Sequence, residues 1–124
     1  LHTAYRRQRQ MCIETAIGRG EISSDLIDPL DFEIQRAPIS ALVGGDSIEN
    51  ARITTAIFAG EKGAPRDAVV LNAAAAIAAY EGRFDLNLHS RIAIGVSRAV
   101  AAIDSGAATR LIAQWAELSQ KLGA

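Results

Sequence analysis

Arg66-Asp67-Ala68-Val69-Val70-Leu71-Asn72-Ala73-Ala74-Ala75-Ala76-Ile77-Ala78-Ala79-Tyr80 is apolar almost all the way round a helix. A helix with no polar face has none to give to solvent, so this run predicts the most buried element of the chain, enclosed by neighbours. Pro65 suits its first turn, where a missing N–H costs nothing. Asp67, also in the first turn, is favoured by the helix dipole. On this reading Val70, Leu71 and Ile77 are nearly inaccessible.

The stretches on either side supply the neighbours. From residue 89 to 104, Ile92, Val96, Ala99, Val100 and Ile103 fall on one helical stripe, and Val70, Leu71 and Ile77 are expected to pack against it. Ser105-Gly106 breaks this helix. A last helix carries Leu111, Trp115, Leu118 and Leu122 on one face, which reads as core or inter-helix packing. Upstream, Asp46 is a good N-cap and Glu49, three residues on, completes a capping-box pattern. Ile53, Ala56 and Ile57 follow at helical spacing, and Gly60 and Gly63 end that helix. Residues 38–42 read as one short turn. Residues 13–17 and 21–27 are short strand-like runs on either side of Gly18-Arg19-Gly20, a tight hairpin turn. Asp28-Pro29 ends the second strand, because proline cannot donate to a ladder.

The fold class is therefore α+β and mostly α-helical: a β-hairpin over 13–28, then about four helices over 38–122. The whole of 1–124 reads as one domain piece with an atypical segment at 1–12. The chain opens on Leu1 without a Met, which reads as a cut or processed terminus.

Composition excludes several function classes. Thirteen basic and fourteen acidic residues leave a net charge of −1, so no global field draws in nucleic acid or an anionic membrane. The lone Cys12 rules out an internal disulfide and a multi-cysteine zinc site, and fits a reducing compartment. No stretch reaches the roughly 18 apolar residues of a membrane helix, and no apolar leader opens the chain. Cytoplasm is the expected location.

Each polar feature carries a functional and a structural reading. Gly44-Gly45-Asp46 ahead of a helix could cradle a phosphate on free amides. The Asp46 carboxylate would occupy the phosphate's place, so a glycine turn with an N-cap accounts for it better. Arg66 could hold a phosphate or carboxylate; an ordinary ion pair or a solvated side chain is the competing reading. Asn72 is the one strong polar group in the apolar run. A buried amide must find partners, and a tie to a neighbouring loop outweighs a ligand contact. His2 and His89 have no metal-ligand partner at standard spacing, and no HExxH, CxxC or GxSxG pattern occurs. Arg6, Arg7 and Arg9 form the only basic cluster; phosphate or RNA binding competes there with a solvated terminus. No catalytic, substrate-binding or metal residue is assigned.

Four segments taken together carry a resemblance: Gly44-Gly45-Asp46-Ser47-Ile48-Glu49-Asn50-Ala51; Gly60-Glu61-Lys62-Gly63 with 66–74; Ala101-Ala102-Ile103-Asp104-Ser105-Gly106-Ala107-Ala108; and Asp28-Pro29-Leu30-Asp31-Phe32. In this order and at these separations they resemble the C-terminal portion of the anthranilate phosphoribosyltransferase family, over roughly 14–122. Two departures stand out. Glu33 lies where the family usually has Gly, and 1–12 does not read like the family's sequence.

The resemblance implies a larger α/β domain to which this segment gives its last hairpin and outer helices. It implies a whole enzyme that moves phosphoribose from phosphoribosyl pyrophosphate to the anthranilate amine with magnesium. The family's Gly-Thr-Gly-Gly-Asp, Lys-His-Gly-Asn-Arg and Asp-Gly-Leu-Asp-Glu segments are absent here, so no family catalytic or Mg2+ ligand residue transfers to this sequence, and this piece alone is expected to bind no Mg2+ and to be inactive. The expected partners are the remainder of the enzyme chain and, through exposed apolar surface, further copies. The alternative is a non-catalytic helical interaction module or a degenerate paralogue.

Overall fold

The computed structural model describes residues 12–18 and 21–123. Two strands and four α-helices follow in order: β1 (Cys12–Gly18), β2 (Glu21–Ile27), α1 (Ser47–Phe58), α2 (Ala64–Glu81), α3 (Leu88–Asp104) and α4 (Ala107–Leu122). Short 3-10 turns at Pro29–Phe32 and Ile39–Leu42 link the hairpin to α1. The chain is thus mostly helical α+β. The Arg19-Gly20 turn, the 1–11 segment, His2 and the Arg6, Arg7, Arg9 cluster lie outside the described residues.

The strands pair antiparallel from Cys12↔Ile27 to Gly18↔Glu21. Asp28 then turns the chain: its carboxylate accepts from the Leu30 amide at 3.1 Å and pairs with Arg36. Those two interactions, the Arg36 bond foremost, hold the Asp28 carboxyl below its ordinary range. Pro29 and Phe32 of the first 3-10 turn are buried, and with Ile27 and Ile34 they attach the hairpin to the helices. The turn closes at Glu33, which sits in the left-handed region at φ 61°. This is where the resemblance expected Gly, and glycine alone adopts that conformation without steric cost.

α2 and α3 form an antiparallel pair, and three contacts fix how they lie. Midway, Gly95 meets Ala74 so closely that a Cβ on Gly95 would stand 2.8 Å from the Ala74 Cα and 2.9 Å from its carbonyl carbon. Arg66, at the start of α2, donates to Asp104 at the end of α3 at 2.7 Å. Arg91, near the start of α3, donates to the Ala78 carbonyl near the end of α2 at 2.8 Å. The Arg91 guanidinium also lies 4.8 Å over the Phe84 ring in the connecting loop, a cation–π contact. Asn87 caps α3 by accepting from the Ser90 amide at 2.8 Å.

Val70, Leu71, Ala74 and Ala78 of α2 pack with Ile92, Ala99 and Ile103 of α3, while Val96 and Val100 are partly buried. The expected stripe is therefore the contact face, but α2 is not enclosed on every side. Val69, Asn72 and Tyr80 are exposed, Tyr80 at 92%, and Ile77 is only half-buried. The abundant alanines leave short side chains that α3 covers from one side. α1 and the Ile39–Leu42 turn touch α2 as well, but they leave Val69, Asn72 and Tyr80 open. α1 is capped as expected, Asp46 accepting from the Glu49 amide at 2.9 Å. The reciprocal half of the capping box fails, because Arg52 takes both Glu49 carboxylate oxygens at 2.7 and 2.9 Å.

Leu71→Ala should lower stability by about 2–5 kcal/mol, whereas Tyr80→Ala should cost under about 0.5 kcal/mol, as measured by urea denaturation. Gly95→Ala should destabilise by about 1–3 kcal/mol even though alanine is the better helix former, because its methyl collides with the α2 backbone. Glu33→Gly should lose no stability and should gain up to about 1 kcal/mol, the left-handed penalty outweighing glycine's extra chain entropy.

Candidate functional site

The loop from Gly60 to Gly63 brings two of the four family-like segments together. Gly60 and Gly63 both take positive φ, 97° and 130°, which lets the chain leave α1 and enter α2 within a few residues. The turn sets Arg66 against Asp104, thirty-eight positions away. Two clefts open on either side of this pair. One is lined by Arg52, Ile53, Glu61, Lys62, Pro65 and Arg66. The other is lined by Phe58, Gly60, Lys62, Asp104, Thr109 and Arg110. Lys62 borders both.

Arg66 is 3% exposed, so its charge is removed from water and needs a counter-charge. Asp104 supplies it through the 2.7 Å bond, with Lys62 Nζ at 3.9 Å from its other oxygen. The Arg66 hydrogen bond, followed by the charges of Arg66 and Lys62, holds the Asp104 carboxyl below its ordinary value against the opposing effect of desolvation. Asp104 is therefore ionised at neutral pH and does not act as a proton donor there. Arg66 Nη1 is buried without a hydrogen-bond partner among the described residues. A guanidinium closed off in this way and paired with a charged carboxylate ties the end of α3 to the start of α2. It presents no nucleophile and no general acid.

The other polar features resolve as structural parts. The Gly45 amide donates to Asn50 Oδ1 at 3.0 Å, and Asn50 Nδ2 returns a bond to the Gly45 carbonyl at 2.9 Å. With Asp46 capping Glu49, two of the amides that would cradle a phosphate, those of Gly45 and Glu49, are taken. Asn72 overturns the expected tie: it is exposed, and its amide donates at 2.8 Å to the Ala68 carbonyl one turn back on its own helix. Its carbons join the open side of α2, so no buried amide needs a distant partner. Trp115 is 70% exposed rather than packed in the core, because α4 leaves the helix pair after its first turn.

The signals missed in the sequence lie at His89 and Arg91. The His89 ring stacks on Phe32 at 4.7 Å with an interplanar angle of 27°, and its Nε2 lies 3.7 Å from Asp31. This joins α3 to the 3-10 turn after the hairpin. Asn87 before a periodic run was the available clue that α3 begins there, one turn ahead of Arg91. Among the described residues no three His, Cys, Asp or Glu side chains gather to hold a metal ion. No single helix there is long and apolar enough to cross a membrane.

Residues 8–109 match a family described as "Glycosyl transferase family, a/b domain". Curated relatives named anthranilate phosphoribosyltransferase include one from Rhodococcus jostii, 45% identical over 106 residues, covering 86% of this chain and 29% of the relative. A relative from Nocardia farcinica is 44% identical over 112 residues, covering 86% of this chain and 32% of the relative. Another, from Mycolicibacterium smegmatis, is 50% identical over 96 residues, covering 77% and 26%. The chain thus spans between a quarter and a third of the length of these relatives.

Asp104→Asn should destabilise the fold at neutral pH. The carboxyl is held below 3.8, so its ionised form stabilises the fold above that value and the contribution is lost as pH falls through the lower, folded-state value. The difference in urea midpoint between parent and Asp104→Asn should be full at pH 7 and close in the acid range below about pH 4.

Proposed function

The chain belongs to the glycosyl transferase family with the a/b domain, and from that membership we propose that it is a C-terminal piece of anthranilate phosphoribosyltransferase. The observation that carries this reading is the ordered set of family-like segments, two of which meet at the Arg66–Asp104 pair. The whole enzyme transfers phosphoribose from phosphoribosyl pyrophosphate to the amine of anthranilate and releases pyrophosphate, a step of tryptophan biosynthesis. It works in the cytoplasm.

On this reading the present residues shape the domain. α2 and α3 form a rigid wall. The Arg66–Asp104 pair holds one end of it, the Asn50–Gly45 tie fixes the loop ahead of α1, and the hairpin continues the sheet of the larger domain. Magnesium would help the departing pyrophosphate in the whole enzyme. On this reading its oxygen ligands belong to the remainder of the enzyme. Stabilising the charge that develops on the leaving group is the main catalytic term in such a transfer, and on this reading it falls to the remainder of the enzyme. The partners are therefore the remainder of the enzyme chain, with self-association through exposed apolar surface. The exposed apolar side chains of α4, Trp115 and Leu122 foremost, favour the competing reading, a non-catalytic helical module.

Purified alone, the 124-residue chain should leave anthranilate fluorescence unchanged in the presence of phosphoribosyl pyrophosphate and magnesium. Grafted into the Rhodococcus relative in place of its matched segment, it should give an active, full-length enzyme. Turnover by the isolated chain would overturn the division of labour. A folded but inactive graft would favour the module or degenerate paralogue.

A further inference from the structure

We draw no further inference here: the strongest candidate, the cleft between α1 and α2 that Arg52, Glu61, Lys62 and the buried Arg66 line, belongs to the site already described, its cations are answered by Glu49 and Asp104, and nothing in the structure shows what fills or covers it.

Discussion

The approach of the α2 and α3 backbones at Ala74 and Gly95 is the constraint on which the other contacts depend. A single methyl on Gly95 would stand within 3 Å of three Ala74 backbone atoms, so the helices lie closer than side-chain packing normally allows. That closeness brings Asp104 within a 2.7 Å hydrogen bond of Arg66 and the Ala78 carbonyl within reach of Arg91. With one contact at the middle and one at each end, a slip along the helix axis would break all three. Small residues set the distance and the two arginines set the alignment.

The buried arginines carry different electrostatic burdens. Arg66 has a full counter-charge in Asp104. Arg91 has a helix-terminal carbonyl, where the dipole of α2 favours a cation, and the face of Phe84. Each nevertheless keeps one buried nitrogen without a partner among the described residues. Guanidinium groups are tolerated in this way because their charge is delocalised and weakly hydrated. Both serve to hold the helix pair together. This is why the Arg66–Asp104 cluster reads as a structural lock.

Much of the fold was legible because local chemistry and tertiary packing agree. Asp46 caps α1, the glycines at 60 and 63 end it and open the way to α2, and the Ile92–Ile103 stripe is the face that packs. The errors at Asn72 and Trp115 share one cause. An apolar run announces that a surface is to be covered but not what covers it, and an exposed asparagine can satisfy itself on the preceding turn. Arg91 was hidden for the opposite reason. A charged residue inside an amphipathic stripe looks solvated until the partner helix supplies a carbonyl. The family resemblance located the segments, and the structure supplied the reason two of them belong together.

Native-state amide hydrogen exchange tests most directly whether α2 and α3 form the core, at a dilution where the chain is monomeric. Helical amides flanking the Ala74–Gly95 contact should be the last to exchange and should do so together, near the free energy of global unfolding, while those of α4 beyond Leu111 exchange early. Early exchange across the middle of α2 and α3, or α4 outlasting them in the monomer, would contradict it.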